Sequence, residues 1–408
     1  MKPYKIITSL LMATALTSCT TKKQHSEGIM EQPHNAVEGT YTKESKETSI
    51  PFWGDLFIHA CRESSAENVC VSPLSAQFAL SMTANGATGE TRQQMYGTMG
   101  LDAGANVVAK GLMERFNTSG ESCTVNIANS IWINDRLNVK QEFVDTNRYY
   151  FDAETERIPF IKESLARING WCSEKTNGKI KSILGEIKKS DRMYLINALY
   201  FKGGWKDEFR ISGTKDEPFT KADGNVTDVP MMKQVIKTSY YEDETIQMAD
   251  KPFKGGYRML LVLPREGVAM EKATTHLAEG YTEFIGNMST HEVTLSMPRF
   301  RNESAILLNE PLKKMGMPKA FGNAAEFNGI SDTPLHIDNV LQKTFINVDE
   351  KGAEAAAVTA IMVGLTSMPR QFEKRTMTLD RPFIYIITDN QAENILFIGK
   401  VGNPSNKN

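Results

Sequence analysis

The sequence DEKGAEAAAVTAIMVGLTSMP, residues 349–369, contains signals for three different local structures. Four alanines between positions 353 and 357 favour a helix by intrinsic propensity. The β-branched residues that follow favour a strand, and the glycine, serine and proline near the end are typical of an exposed loop. A segment whose local preferences conflict in this way is a candidate for adopting more than one conformation.

The composition of the 408-residue chain is that of an ordinary globular protein, with 40% hydrophobic residues, 24% charged residues and a net charge of −2. This near-neutral balance gives no argument for a nucleic-acid partner. The length allows one large domain or two ordinary ones. Because no stretch rich in Gly, Pro or Ser interrupts residues 50–405, we predict a single domain there.

The N-terminus has the anatomy of an export signal. Lys2 and Lys5 precede an apolar run at positions 6–16 that is too short to span a bilayer. The run ends in LTSC at positions 16–19, which resembles the bacterial lipobox of a branched residue, two small residues and a cysteine. We therefore expect residues 1–18 to be a lipoprotein signal peptide and Cys19 to be diacylated. The alternative is an ordinary cleaved signal peptide with an incidental cysteine.

Residues 19–49 are polar and have almost no apolar clustering, so we predict a flexible tether between lipid and domain. Acyl chains on Cys19 would hold the protein on a membrane surface without spanning it. The expected location is therefore the bacterial cell envelope, outside the cytoplasm, on the periplasmic face or the cell surface. We expect a monomer.

Hydrophobic periodicity predicts helices early in the chain and strands late. The helices are predicted near residues 50–60, 73–85, up to 95, 164–176 and 309–315. The strands are predicted at 68–72, 124–133, 193–201, 259–263, 293–297, 344–348, 383–388 and 395–401. This order predicts an α+β fold with mainly antiparallel sheets.

Enzyme motifs are missing from the sequence, which contains no HExxH, GxSxG, GxGxxG or GxxxxGK[ST]. The six histidines are scattered, and none has metal-ligand spacing, so neither a metal nor a cofactor is expected. Beyond Cys19, the cysteines at 61, 70, 123 and 172 match no zinc or redox pattern and allow three full pairings. Several of them would serve as small buried apolar residues. We predict that the protein is not an enzyme.

Polar residues interrupt two of the predicted apolar strand regions. If Ser72, Ser75 and Asn197 are buried, they must hydrogen-bond to one another or to the backbone. Trp205 follows a pair of glycines and is either a core aromatic residue, which the sequence favours, or a gate at a sheet edge.

Several blocks of sequence, in the same order along the chain, resemble the serpin family of serine protease inhibitors over residues 50–405. They include NVCVSPLS at 68–75, NALYFKGGW at 197–205, DEKGAEAA at 349–356 and FIGKV at 397–401. The resemblance implies a serpin fold with three β-sheets, about eight or nine helices and an exposed reactive-centre loop. It also implies that a target protease cleaves the loop and becomes acyl-linked to it. The loop then inserts as a central strand of the largest sheet and distorts the protease.

The resemblance places the hinge of that loop at Glu350, Gly352, Ala353, Glu354, Ala355, Ala356 and Ala357. An inserting strand alternates its side chains with period two. The face that begins at Ala353 carries small or apolar side chains as far as Val363, and the other face carries the charge of Glu354, which we expect to point outward. Non-inhibitory serpins typically break this pattern with proline or charge. We therefore expect an inhibitor, with a non-inhibitory carrier or chaperone as the alternative.

The reactive bond has two candidate positions. The family's usual seventeen hinge-side residues, counted from Glu350, place it between Thr366 and Ser367. A loop one residue shorter places it between Leu365 and Thr366. Leu365 suits chymotrypsin-like, elastase-like and subtilisin-like pockets, and papain-like proteases could also read it. No Arg or Lys lies near either candidate bond on its hinge side, which argues against trypsin-like targets.

The polar network that controls sheet opening is assigned by the same resemblance to Ser72, Ser75, Asn197, Trp205 and Gln342. The family often has a histidine where this chain has Gln342. Glutamine can donate to or accept from Ser72 or Asn197, but it cannot titrate. The sequence therefore argues against a pH-sensed opening through this position.

Overall fold

Eight α-helices form in the part of the chain that the computed structural model describes, which is residues 50–102, 104–120, 122–354 and 372–405. They are α1 (Phe52–Glu63), α2 (Pro73–Ala84), α3 (Gly89–Met99), α4 (Ala105–Phe116), α5 (Gln141–Phe151), α6 (Lys162–Lys175), α7 (Met270–Asn287) and α8 (Asn309–Met315). The start of α2 shows the local chemistry. Pro73 occupies the first turn, and the Ser72 hydroxyl accepts a hydrogen bond from the Ser75 amide at 3.2 Å. None of the described helices is long and apolar enough to cross a membrane.

Sixteen β-strands form in the same ranges. They are β1 (Val69–Val71), β2 (Thr118–Ser119), β3 (Cys123–Asn134), β4 (Glu154–Ile158), β5 (Met193–Gly204), β6 (Lys215–Thr220), β7 (Val226–Glu242), β8 (Ile246–Pro252), β9 (Tyr257–Pro264), β10 (Ser289–Pro298), β11 (Phe300–Leu307), β12 (Leu341–Asp349), β13 (Gly352–Ala353), β14 (Lys374–Thr378), β15 (Phe383–Asp389) and β16 (Ile395–Val401).

Seven strands form what we call the main sheet, in the order β11-β12-β13-β5-β3-β2, with β4 also paired to β3. The two-residue strand β13 is antiparallel to both of its neighbours. In the described residues no backbone ladder joins β12 directly to β5. The main sheet therefore contains a strand position between β12 and β5, and β13 occupies its first two residues.

The other nine strands form one hydrogen-bonded network in two parts, which share the 17-residue strand β7. Along most of its length β7 pairs with β6 and β10, and β10 pairs in turn with β14. Only its last three residues pair with β8, which leads through β9, β15 and β16 to β1. With the main sheet these two parts make three sheets, as expected for the predicted α+β fold.

Two hydrophobic clusters hold these layers together. The larger cluster fills the space on the inner face of the main sheet and includes the fully buried strand residues 384–387. The smaller cluster lies on the outer face, where α6 packs Ile168 and Trp171 against Ile196 of β5. The chain that follows α6 also contributes Ile180 and Ile183 to this cluster. We call residues 176–184 the strap, because they cover the outer face of the main sheet.

Three helices were not foreseen from the sequence. α4 carries adjacent valines and a glycine, α5 contains residues of modest helix propensity, and α7 contains two glycines. Each nevertheless places apolar side chains on one face and buries them, including Met113 of α4, Phe143 of α5 and Leu277 of α7. Tertiary packing of such a face commonly outweighs weak local propensity.

Candidate functional site

The hinge begins where β12 ends and the chain turns back into β13. The Asp349 carboxylate accepts hydrogen bonds from the amides of Lys351 (2.8 Å) and Gly352 (3.3 Å). The segment after β5 supports the same turn from the other side. The amide of Trp205 donates to the Lys351 carbonyl at 2.7 Å, and that of Phe209 donates to the Glu350 carbonyl at 2.9 Å. The turn is therefore tied to the end of β12 and to the segment that follows β5.

Gly352 and Ala353 form the two rungs of β13. Gly352 pairs with Asp349 on one side and Gly204 on the other. Its φ is +151°, and an added Cβ would lie 2.0 Å from the Gly203 carbonyl oxygen, so only glycine fits there. Ala353 is fully buried in the inner core. The structure thus places the inward face of the predicted alternation at Ala353.

Glu354 lies on the opposite face, as the alternation predicts, but its side chain does not reach solvent. Only 5% of the side chain is exposed, and the Lys179 ammonium of the strap lies 3.5 Å from its carboxylate. Burial raises the pKa of Glu354, while Lys179 and the Tyr200 hydroxyl lower it by less. Glu354 therefore lies on the outward face, and it is shielded from solvent because the strap covers that face at this point.

Glu350 is held by an ion pair beside the strand position between β12 and β5. Both of its carboxylate oxygens accept from the Arg299 guanidinium at 2.5–2.9 Å, and the Thr214 hydroxyl donates to one of them at 2.5 Å. Burial by itself would raise the pKa of Glu350. The Arg299 and Thr214 contacts outweigh it and hold that pKa below its usual value. Glu350 therefore carries a charge that is buried and neutralised.

Trp205 is a core residue and also a neighbour of the hinge. Its ring is fully buried and stacks on Phe253 with the centroids 4.2 Å apart, and its indole N–H donates to the Asp349 carbonyl at 2.9 Å. Trp205 is therefore a core aromatic residue, as the sequence favours, and it lies directly under the hinge turn. Its role in gating stays a prediction.

A buried lysine beside Trp205 was missed by sequence reasoning. The ammonium of Lys251 lies over the ring of Phe209 at 4.5 Å and over that of Trp205 at 5.5 Å. It donates to the Gln234 side chain at 2.7 Å and to the Asp207 carbonyl. Burial lowers the pKa of Lys251 to about 8. A single lysine in a strand gives no sequence signal of such an environment.

We expect Lys251 to make the stability of the protein rise with pH above about 8. Its native pKa lies near 8 and its ordinary value is 10.5, so between these values the unfolded chain binds one more proton than the native one. Stability then rises by about 1.4 kcal/mol per pH unit. In urea unfolding from pH 7 to 10, the wild type should gain stability relative to Lys251→Met. Lys254→Met, at a partly exposed position, keeps Lys251 and should gain stability with pH as the wild type does. A difference between wild type and Lys251→Met that does not change with pH would contradict the assignment.

The residues assigned to the sheet-opening network form two separate contacts. The Gln342 side chain bridges the backbone of Ser72, accepting from its amide and donating to its carbonyl, both at 2.8 Å. Asn197 instead donates to Asn129 at 2.8 Å, and Asn129 donates to the Phe151 carbonyl at 2.7 Å. Of the two partners considered for Gln342, the structure therefore selects Ser72. Ser75 contributes its amide to the Ser72 hydroxyl, as described for α2.

Replacing Gln342 with alanine is expected to destabilise the protein by roughly 1–3 kcal/mol, because the buried Ser72 amide would lose its acceptor. The measurement is the urea midpoint of the variant against the wild type. Lys343→Ala is the matched control, since Lys343 is the next residue of β12 and its exposed ammonium donates to the Ser182 hydroxyl at 3.3 Å. Equal midpoints for the two variants would show that the bridge contributes no stability.

The described cysteines are all unpaired. Cys70, Cys123 and Cys172 are buried and Cys61 is partly buried. Burial raises the pKa of Cys61 to about 12 and that of Cys70 to about 11, so these thiols are unreactive at neutral pH. In the same part of the chain no three His, Cys, Asp or Glu side chains gather as metal ligands. None of the three possible disulfide pairings of these four cysteines is present in the described residues.

Several predicted site residues lie outside the described residues. These are the reactive-bond candidates Leu365, Thr366 and Ser367, the hinge residues Ala355, Ala356 and Ala357, and the lipidation candidate Cys19.

Comparison with known proteins confirms the predicted serpin fold. The family model described as Serpin (serine protease inhibitor) matches residues 47–404. The leukocyte elastase inhibitor of Sus scrofa is 31% identical over 368 residues, which are 86% of this chain and 97% of that protein. The solved native structure of the thermophilic serpin tengpin has 34% identity and a TM-score of 0.78, covering 86% of this chain and 92% of its own. Human thyroxine-binding globulin complexed with thyroxine has 25% identity and a TM-score of 0.78, covering 88% and 98%.

Proposed function

This chain belongs to the serpin family of serine protease inhibitors, and from that premise we propose that it inhibits serine proteases irreversibly as a suicide substrate. The observation that supports this most directly is the strand position between β12 and β5. Gly352 and Ala353 already pair there with both neighbouring strands. A chain that continued from Ala353 in the same register would extend a central antiparallel strand along the edges of β12 and β5.

The proposed chemistry begins as ordinary proteolysis. The catalytic serine of the protease attacks the carbonyl carbon of residue 365 or 366 and forms an ester with it. The amide bond breaks, and the amine of the next residue takes the proton and leaves with the C-terminal part of the chain. Insertion of the hinge side then carries the attached protease away and distorts its active site before water hydrolyses the ester. Inhibition therefore depends on insertion being faster than deacylation.

The proposed targets follow from the residues around the two candidate bonds. Leu365 suits the pockets of chymotrypsin-like, elastase-like and subtilisin-like enzymes, and papain-like cysteine proteases form a second class to test. The name of the porcine relative, a leukocyte elastase inhibitor, agrees with a hydrophobic preference.

The deciding experiment is incubation of the protein with chymotrypsin, elastase, subtilisin and papain, followed by denaturing electrophoresis. We expect an SDS-stable adduct with at least one serine protease. Mass analysis of the released C-terminal peptide should show Thr366 or Ser367 as its first residue. Clean loop cleavage by every protease with no adduct would exclude inhibition. The alternative of a carrier, for which thyroxine-binding globulin is a structural relative, would then be favoured.

We also propose that the protein is a lipid-anchored monomer of the bacterial cell envelope, exposed outside the cytoplasm. The support is the signal anatomy of residues 1–18 and the cysteine that follows. Expression in a bacterial host with a labelled fatty acid tests this directly. The wild type should incorporate label and sediment with membranes, whereas Cys19→Ala should do neither. Equal labelling of both would exclude Cys19 as the acylated residue.

A further inference from the structure

We propose that a cleft beside the paired ends of β11 and β12 binds an organic carboxylate with an apolar body. The cleft has a volume of about 850 Å³ and is lined by the turn after β12, the start of β11, the 3₁₀ turn Ile211–Gly213 and the residues that follow β16. All of its lining residues belong to the described ranges. Clefts of this volume commonly hold small-molecule ligands. This inference goes beyond protease inhibition and does not rest on it.

One part of the lining is apolar. Ile211 is 63% exposed although it is a large aliphatic residue. Pro230 and Pro404 line the same cleft. Single exposed apolar residues are normal on a protein surface, but here three apolar residues border one concave space. A ligand body that covers them would gain free energy in proportion to the apolar area removed from water.

The polar part of the lining offers donors with spare capacity. Within the described residues the Lys351 ammonium has no ion-pair or hydrogen-bond partner. Arg301 pairs with Glu303, but both side chains are nearly half exposed. Since such a pair contributes little free energy, a ligand carboxylate can replace Glu303 at small cost. Asn347 lies directly opposite Arg301 in the β11–β12 ladder, and its side-chain amide can donate to the same anion.

The two carboxylates in the lining are already engaged. Both oxygens of Glu350 accept from the Arg299 guanidinium at 2.9 Å. Asp349 accepts from two backbone amides of its own turn at 2.8 and 3.3 Å. Three cationic side chains therefore face two occupied carboxylates in one cleft. The charge left for a ligand is positive, so the cleft favours an anion.

The two parts of the lining together define the ligand class. A small inorganic anion would satisfy Lys351 and Arg301 but would leave Ile211 uncovered. A neutral apolar molecule would cover Ile211 but would leave the cations without a partner. A carboxylate attached to an apolar body satisfies both, because Arg301 can bind the carboxylate in a planar, two-bond arrangement while the body lies against the apolar residues.

The test is isothermal titration calorimetry of the full chain with naphthaleneacetate as the probe. This molecule carries a carboxylate on an aromatic body. Naphthaleneacetamide removes the charge and keeps the body, and acetate removes the body and keeps the charge. We expect naphthaleneacetate to bind at least roughly tenfold more tightly than either control, because each control loses one class of contact. Equal affinities for the acid and its amide would overturn the proposal.

Four variants locate the binding. Lys351→Met removes the free cation and Ile211→Ser removes the exposed apolar side chain, and each should weaken binding of naphthaleneacetate roughly tenfold. Lys181→Met changes an exposed lysine of the strap, and Val235→Ser changes a residue that is 61% exposed on β7. Neither residue lines the cleft, so both variants should bind as the wild type does. The urea midpoint of each variant checks that its fold is intact. Equal affinity in all four variants would show that the probe binds elsewhere and would overturn the proposal.

The same titration decides whether the end of the chain competes for the cleft. Residues 406–408 follow Ser405, which is one of the lining residues. A chain that ends at Ser405 should bind naphthaleneacetate with the affinity of the full chain. Binding by the shortened chain alone would give the cleft to the protein's own C-terminal residues and would overturn the proposal. Absence of binding by both chains would overturn it as well.

Discussion

Replacing Ala353 with arginine is expected to turn the protein from an inhibitor of chymotrypsin-like proteases into a substrate. Ala353 is fully buried and lies between β12 and β5 with its side chain in the inner core. A guanidinium at this point would enter the hydrophobic cluster that contains Ala353, and an unpaired buried charge costs several kcal/mol. Insertion would be slowed at its first step, and the ester would hydrolyse first. The number of inhibitor molecules consumed per protease should rise at least roughly tenfold.

Two controls make this result interpretable. Ala353→Ser keeps a small side chain and should still form the SDS-stable adduct. Ala66→Arg introduces the same arginine at an exposed position and should behave as the wild type. All variants should still be cleaved at the same loop bond, because the change lies far along the chain from it. Full adduct formation by Ala353→Arg would show that insertion does not pass through the position now held by β13.

Replacing Glu350 with lysine is expected to destabilise the protein by roughly 3 kcal/mol, measured as a lower urea midpoint. The carboxylate is 5% exposed and pairs with Arg299 through both oxygens. The variant would place two cations together and leave the Thr214 hydroxyl without its acceptor. Because the same pair fixes the turn into β13, the hinge should also exchange its amide hydrogens faster.

The neighbouring pair on β11 provides the matched control. Glu303 pairs with Arg301, but both side chains are nearly half exposed, so Glu303→Lys should cost less than about 1 kcal/mol. The charge swap Glu350→Lys/Arg299→Glu should recover part of the loss, since opposite charges meet again. A loss for Glu350→Lys no larger than for Glu303→Lys would show that burial adds nothing to the Glu350–Arg299 pair.

Much of the fold was predictable from the sequence, since strongly apolar runs have few alternatives. The run at 193–201 predicted β5, and Ser72-Pro73 predicted the start of α2, which the structure places at Pro73. The helices α4, α5 and α7 could not be predicted in this way. Their local propensities are weak, and they are stabilised by surfaces that other parts of the chain supply.

The sequence by itself determined the family and the alternation at the hinge, because both depend on residue types in a fixed order. It placed Ala353 and Glu354 on opposite faces of a strand, since side chains alternate along any extended chain. Only the tertiary structure decided which side chains the described hinge residues contact in the main sheet. Lys179, Arg299 and Lys251 are distant from the hinge in sequence. Their distances from it, and the burial of the groups that they contact, arise only when the strap and the sheets pack together. Electrostatic energies depend on those distances and on burial, neither of which a linear pattern contains.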